Sequence, residues 1–211
     1  MDSLKQSAEA FKELLNKEYL IIVARKGQKT EFKLIFEEWD FKHLSGMQKL
    51  IDLDYHKMPA GVIFKDILKG RIKDSDLQRS EYFADIAERL EDLKNLERYL
   101  DNNMLVYKWD IKNSPYSKIG YADYVFKENI PDEKKAYVFL REKLSSGTIK
   151  KLKIEEIKKT SAISFFLDSR DLTKYQVVYT LLRNEKIDIK NKSSLILYDF
   201  EELKKNGSSK T

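Results

Sequence analysis

The sequence contains no cysteine and only two histidines, His43 and His56. The absence of cysteine excludes disulfide bonds, thiolate zinc sites, iron–sulfur clusters and a cysteine nucleophile. Two histidines are too few for a three-histidine metal site. Glycine and proline are also scarce, at 7 and 3 of 211 residues, which excludes collagen, proline-rich linkers and glycine-loop architectures.

Several common functional motifs are missing as well. The sequence has no Walker loop, dinucleotide-binding fingerprint, GxSxG elbow or HExxH motif. No stretch approaches the ~18 apolar residues of a membrane span, and no apolar signal-peptide core is visible. We therefore expect a cytoplasmic protein with no cofactor and no membrane partner. The adjacent acids Glu37-Glu38 and Glu155-Glu156 point apart on regular backbone, although a two-metal carboxylate site stays open.

What the sequence has in excess is charge. Charged residues make up 36% of the chain and the net charge is +5. Residues 134–160 hold nine Lys and Arg against three acids, a local charge of +6. A concentrated basic stretch favours a polyanionic partner, and the alternative is an ordinary solvated, lysine-rich surface.

The first half of the sequence predicts a helix, a hairpin and further helices. A capped first helix precedes two β-rich segments, 19–24 and 31–36, which flank a polar link containing Gly27 and so predict a hairpin. Helical spacing predicts helices over 42–53, 60–68 and 76–100, the last as one continuous helix. Its apolar stripe consists of Leu77, Phe83, Ala87, Leu90, Leu93, Leu96 and Leu100.

The second half is rich in Tyr, Val and Phe, which favour strands. Strands are predicted over 104–111, 121–128, 135–144, 160–168, 175–189 and 193–200, with a short helix over 153–159. The segregated order predicts an α+β fold: an N-terminal helix and β-hairpin, central helices, then a mainly antiparallel C-terminal β-sheet. We expect one domain over 1–203, with a sub-boundary near 101–104, and a disordered tail over 204–211.

His43 is the first candidate for chemistry. It lies in the segment FKHLSG, near a predicted helix start whose N–H groups attract phosphate, and its near-neutral pKa suits a general acid or base. The alternative is an ordinary, partly buried histidine with Ser45 and Gly46 serving the helix entry. His56 lies in a predicted loop and is a weaker candidate.

A second group combines aromatic and basic side chains. Tyr137 and Arg141 share one face of a predicted strand, and Tyr175 and Tyr179 share a face of another, beside Lys174 and Arg183. Aromatic rings near cations can stack bases and contact phosphates. A tyrosine-rich sheet with ordinary edge charges would give the same pattern.

The segment FKHLSGMQKLIDL, together with SAISFFLDSRDLTKYQVVYTLLRNEKIDI, resembles the phage-associated nuclease families of the barnase–EndoU–colicin–RelE-like (BECR) fold, most closely the fourth group. The resemblance covers roughly residues 8–190. It implies helices packed on a four-stranded antiparallel sheet, and a metal-independent ribonuclease, in many members a toxin. Such enzymes use the ribose 2′-OH to attack the adjacent phosphorus, leaving a 2′,3′-cyclic phosphate and a 5′-OH.

The resemblance places His43 on the family's histidine, as acid or base, and Ser45 on its Thr/Ser position, as a residue that orients the imidazole or binds phosphate. From local chemistry we add Arg141 and Lys174 as phosphate-neutralising cations, and Tyr175 as a stacking or proton-donating group. The expected substrate-binding residues are Ser45, Tyr137, Thr160, Ser161, Ser164, Tyr179 and Arg183. This hypothesis requires His43, Arg141 and Lys174 to converge in one cleft.

The function predicted from the sequence is thus a metal-independent endoribonuclease, toxin-like or acting in conflicts of phages and mobile elements. Its partners would be RNA, with tRNA as one candidate, and a cognate antitoxin or immunity protein. The alternative is a non-catalytic module that binds nucleic acid or protein, such as an inhibitor of a host defence complex. A third hypothesis is a structural or partner protein in which the stripe from Leu77 to Leu100 forms a protein interface.

Overall fold

The computed structural model describes residues 2–102, 105–114, 117–131, 133–143 and 157–208. The chain begins with α1 (Ser3–Leu14), whose first turn is capped by the Asp2 carboxylate, which accepts a hydrogen bond from Lys5 N at 3.0 Å. The hairpin of β1 (Lys17–Arg25) and β2 (Gln28–Ile35) follows. Lys26 and Gly27 both have positive φ, as a tight two-residue hairpin turn requires. The predicted helix and hairpin are confirmed.

The central helices are shorter than predicted. They are α2 (Asp40–Leu44), α3 (Ala60–Leu68), α4 (Asp74–Leu77), α5 (Ala84–Asp92) and α6 (Leu96–Asp101). Short 3₁₀ turns lie at Met47–Lys49, Asp54–His56 and Leu93–Asn95. The predicted helix over 60–68 is confirmed, whereas the single helices predicted over 42–53 and 76–100 are wrong because turns interrupt both.

Six further strands follow the helices. They are β3 (Leu105–Lys108), β4 (Tyr124–Asn129), β5 (Lys135–Glu142), β6 (Lys158–Asp168), β7 (Val177–Asp188) and β8 (Ser193–Asp199). A 3₁₀ turn at Ile111–Asn113 precedes β4. The last helix, α7 (Phe200–Ser208), includes residues 204–208 of the predicted tail. Most of the helix predicted over 153–159 lies outside the described residues.

The strands form one sheet that closes on itself. Seven strands are joined in the order β1-β2-β6-β5-β4-β3-β7, and β7 pairs back with β1. The pair of β2 and β6 is parallel, while the other pairs in the sheet are antiparallel. The predicted mixture of helices and strands is confirmed, but the sheet is not simply a C-terminal antiparallel one, because the N-terminal hairpin is part of a closed barrel.

Two apolar clusters hold the fold together. The larger one joins the helices to one face of the strands, and Phe11 of α1 packs edge-on against Phe36, Phe41 and Phe64. The smaller one lies on the opposite face of β4, β5 and β6 and contains Tyr137 and Phe139. Successive residues of β5 therefore point alternately to the larger and to the smaller cluster, as side chains of a strand do. No helix within the described residues is both long and apolar enough to cross a bilayer.

Candidate functional site

A cleft of about 450 Å³ opens between α5, the 3₁₀ turn at Met47–Lys49, the loop at 117–119 and β6. Its walls include Arg89 on α5 and Ser164 and Phe166 on β6. Phe166 belongs to the smaller apolar cluster, so the cleft lies on the same face of β6 as that cluster.

Arg89 is the most unusual residue of the cleft. It is only 9% exposed, and within the described ranges no carboxylate lies within 4 Å of its guanidinium. Its Nε is buried without a hydrogen-bond partner, and burial lowers the pKa of the group to about 10. Burying a charge is unfavourable unless it is paired. The guanidinium carbon lies 5.7 Å from the centroid of the Phe166 ring, which offsets part of that cost.

Gly46 makes room for this arginine. The residue has φ +83, and a Cβ at this position would lie 3.0 Å from an Arg89 terminal nitrogen and 2.8 Å from Ile86 Cγ2. Only glycine fits both the left-handed backbone and the close approach of α5. The HLSG turn and α5 therefore pack closely together, and the Arg89 side chain approaches Gly46 and also lines the cleft.

Two more cations face the cleft. Lys49 and Lys118 both line it, and burial together with the charge of Arg89 lowers the pKa of Lys49. Two of the acids in the walls are paired, Asp168 with Arg170 at 2.6 Å and Glu88 with Lys134. The three cations Lys49, Arg89 and Lys118 are thus left facing one further carboxylate, Asp85, and the cleft is suited to an anion.

His43 is not one of the residues that line this cleft, but its backbone is joined to the cleft wall. It is exposed on α2, and its backbone carbonyl accepts hydrogen bonds from Gly46 N at 3.2 Å and from Gln48 Nε2 at 3.4 Å. Gln48 itself lines the cleft. Partial burial, and then the charge of Lys42, lowers the pKa of the imidazole. A neutral ring at pH 7 can accept a proton.

A family model described as phage-Barnase-EndoU-ColicinE5/D-RelE like nuclease4 matches residues 3–201. The match spans nearly the whole chain, including the HLSG turn, α5 and β6. The chain belongs to this nuclease family. No match was found among the curated proteins or the solved structures. The resemblance carried by FKHLSG and the SFF segment is confirmed, and a nuclease-like function follows from the membership.

Among the predicted site residues of this BECR-like nuclease, Ser164 lines the cleft, and His43 is joined to it only through the hydrogen bond from the lining residue Gln48 to the His43 carbonyl. Ser45 precedes Gly46 but is fully buried, and its Oγ donates to Lys42 O at 3.2 Å. No hydrogen bond between Ser45 and the His43 ring occurs in the described part of the chain, so Ser45 supports the turn instead of the imidazole.

The predicted cations do not meet at this cleft. Arg141 is exposed on β5, with its guanidinium 5.7 Å from the centroid of the Tyr121 ring. Lys174 lies in the loop between β6 and β7, 5.3 Å from the ring of Tyr175, which is 69% exposed. Within the described ranges, no hydrogen bond, ion pair or ring contact joins His43 to Arg141 or Lys174. Arg183 pairs with Glu185 and Asp199.

The remaining predicted residues have structural contacts. Tyr137 is buried, and its hydroxyl donates to Arg170 O at 2.8 Å and accepts from Leu172 N at 3.1 Å. It therefore holds the loop that closes one side of the cleft and cannot stack a base. The buried Thr160 hydroxyl donates to Lys33 O at 3.1 Å.

Ser161 and Tyr179 also lie away from the cleft lining. Ser161 is half-buried on β6, where it stands in register with Ile35 and Arg141. Tyr179 is half-buried on β7 and packs edge-on against Tyr124, with the ring centroids 6.3 Å apart. Within the described ranges, no group of three or more His, Asp or Glu side chains is arranged to hold a metal ion.

Sequence reasoning missed Arg89, although the sequence contained a signal for it. The buried face of α5 consists of Ile86, Arg89 and Leu90, and Leu93 continues it in the next turn. This is the i, i+3, i+4, i+7 pattern of a helix face. The predicted stripe used Ala87 instead of Ile86, and this shift in phase moved Arg89 to the solvated side.

Proposed function

We propose that this BECR-like nuclease is a metal-independent endoribonuclease that cleaves RNA by 2′-OH transesterification in the cleft. The observation that carries the proposal is Arg89, a buried guanidinium that has no carboxylate partner among the described residues and lines the cleft beside the HLSG turn. A phosphodiester bound there would supply the missing negative charge, with charge-assisted hydrogen bonds.

Each step of the reaction can be assigned to a side chain of the site. His43 accepts the proton of the 2′-OH as the 2′-oxygen bonds to phosphorus. The bond from phosphorus to the 5′-oxygen breaks, and Lys49, with its lowered pKa, gives that oxygen a proton. Arg89 and Lys118 stabilise the charge that develops on the phosphoryl oxygens. The products are a 2′,3′-cyclic phosphate and a 5′-OH.

The first test is cleavage of total RNA and tRNA in EDTA, with the product ends typed. We expect cleavage to persist in EDTA and to fall by ~10²-fold or more in His43→Ala and Arg89→Met. Lys69→Ala, which removes an exposed lysine at the end of α3, is the charge-matched control. For wild type, the acid-side decline of kcat/KM should lie at a lower pH than the ordinary histidine pKa of ~6.5, because the base must be neutral and the pKa of His43 is lowered. A requirement for added metal would overturn the mechanism.

The anion site has a test that does not depend on turnover. Inorganic phosphate should raise the Tm of wild type, because a ligand that binds only the folded state stabilises it. Arg89→Met should lose most of this shift, while its Tm without phosphate stays equal or increases, because an unpaired buried charge is removed. An equal phosphate shift in both proteins would contradict the assignment of Arg89.

The alternative is a non-catalytic binding module. It would yield no cleaved ends, but tight and salt-sensitive RNA or DNA binding that His43→Ala retains. A toxin-like role with a cognate antitoxin belongs to the ribonuclease. A chain that neither cleaves nor binds nucleic acid would instead have a protein partner, such as a host protein complex.

A further inference from the structure

Two exposed aromatic rings lie beside β5, away from the cleft lining. Trp39 is 53% exposed and Tyr121 is 78% exposed. Each ring has a cation above it, since Lys143 Nζ lies 5.7 Å from the Trp39 ring centroid and Arg141 lies 5.7 Å from that of Tyr121. Large exposed rings paired with cations are the surface that single-stranded nucleic acids use.

The two cations belong to one face of the sheet. Arg141 lies on β5 and Lys143 just beyond it, where Lys143 N still donates to Lys159 O at 2.7 Å. Residues two apart on an extended chain point to the same side, about 7 Å from each other. Tyr137 and Phe139 occupy the same alternating positions and belong to the cluster that includes Phe166. The ring–cation pairs therefore share a face with one wall of the cleft.

Chain connectivity keeps both rings close to the cleft. Tyr121 follows Lys118, a cleft residue, by three positions, so that their Cα atoms are at most about 11 Å apart. Trp39 directly precedes α2, which leads into the turn at Gly46 against Arg89. A strand of nucleic acid leaving the cleft would meet these rings within a few nucleotides, given ~3.4 Å per stacked nucleotide.

The charges of the surface also favour a polyanion. Arg141 has no carboxylate within 4 Å among the described residues, so that its guanidinium is available to a phosphate. Lys143 pairs with Glu37, and Lys158 pairs with Glu142, so these two contribute less. The two cations of the surface, Arg141 and Lys143, belong to the basic stretch 134–160 of the sequence, where nine Lys and Arg outnumber three acids.

We propose that Trp39 with Lys143, and Tyr121 with Arg141, form a stacking subsite for unpaired nucleotides of single-stranded RNA that flank the bond held in the cleft. The inference rests on the proposed function for the choice of RNA as ligand and for the cleft as the place of the bond. It assigns Arg141 to the binding of flanking nucleotides and not to bond cleavage.

The test is binding of a short 2′-O-methyl RNA oligonucleotide, which cannot be cleaved by 2′-OH attack, followed by tryptophan fluorescence. The chain has two tryptophans, and Trp109 is buried at 4% exposure, so that quenching by a stacked base should come from Trp39. We expect quenching in wild type and none in Trp39→Phe. Trp39→Ala and Tyr121→Ala should each raise Kd about tenfold.

Two controls separate stacking from other effects. Tyr121→Phe keeps the ring and should bind like wild type, and Lys69→Ala should also be unchanged. Quenching that persists in Trp39→Phe, or an unchanged Kd in both alanine variants, would overturn the subsite.

A second readout separates this inference from the proposed function. If the chain cleaves RNA, Tyr121→Ala should lower kcat/KM for long substrates but leave a dinucleotide unaffected, because a dinucleotide does not reach the subsite. An equal loss on both substrates would overturn the subsite. If the chain does not cleave RNA, the proposed function has failed, and the binding measurement alone tests the stacking subsite.

Discussion

The residues from His43 to Gly46 have separate physical roles. His43 is exposed and titratable, Leu44 and Ser45 are buried, and Gly46 turns the backbone where Arg89 approaches it. The family resemblance drew attention to the histidine, but the glycine determines whether the arginine can enter the cleft. The segment therefore connects two groups of the proposed site, His43 and Arg89, that lie far apart in sequence.

Replacing Gly46 by alanine should therefore damage both stability and activity. The left-handed backbone alone costs about 1–2 kcal/mol for a residue with a Cβ, and the 2.8 Å contact with Ile86 adds roughly 1–3 kcal/mol of overpacking. Because the same Cβ would displace Arg89, cleavage should also decrease. Urea unfolding and cleavage assays measure the two effects.

Gly27→Ala is the matched control. Gly27 has nearly the same φ, +79, but nothing lies within 4 Å of its Cβ position. It should lose only the backbone contribution and keep full activity. Equal destabilisation of the two variants would show that the contact between Gly46 and α5 has no energetic importance.

At the scale of elements, most segments could be predicted to be helix or strand, but which side of a helix faces the core could not. The stretch 76–100 reads as one helix, yet the chain turns between α4 and α5. There the Ser80 hydroxyl and Glu81 N both donate to the Asp52 carboxylate, at 2.6 and 2.8 Å. A contact with a residue 28 positions away cannot be read from helical periodicity. The stripe predicted for one continuous helix therefore placed Ala87 instead of Ile86 on the buried face and left Arg89 on the solvated side.

The start of α2 carries a prediction about pH. Asp40 is 6% exposed, and burial raises its pKa from the ordinary 3.8 to about 6, although the hydrogen bond from Glu37 N and the charge of Lys143 oppose the shift. The folded state therefore binds this proton more tightly than the unfolded state does. Its contribution to stability is fully present below pH 3.8 and is lost as the pH rises through about 6.

Asp40→Asn should remove this dependence. The amide oxygen can still accept from Glu37 N, and no charge is buried above pH 6. We expect the variant to be more stable than wild type at pH 8 by an amount on the order of 1–3 kcal/mol, with the difference vanishing near pH 4. Urea unfolding at several pH values measures it. A constant difference across the range would exclude Asp40 as its source.

At the scale of the whole molecule, closure of the barrel was the feature that the sequence did not reveal. The hairpin, the helix at 60–68 and the later strands could be predicted from local composition and periodicity. In the parallel pairing of β2 with β6, Thr160 stands opposite Leu34, and its hydroxyl donates to Lys33 O, 127 positions away. Nothing in either strand specifies the partner at its edge, because strand pairing depends on the packing of both faces.

The distribution of charge over the molecule supports a final prediction, on salt. For single-stranded RNA, log K should fall linearly with log salt, with a slope of about 0.7 per phosphate contact. If Lys118 in the cleft and Arg141 beside Tyr121 each contact a phosphate, each alanine variant should reduce the slope by about 0.7, and the double variant by about twice that. Lys69→Ala should leave the slope unchanged.

The same titration separates charge from stacking. Trp39→Ala should weaken binding at every salt concentration without altering the slope, because the aromatic ring that it removes releases no counterions. A slope that decreases equally in all of these variants would mean that binding is diffuse and that the cleft and the aromatic surface do not form one track. Different slopes for cations and aromatics, with additive losses for Lys118 and Arg141, would mean that one RNA strand contacts both.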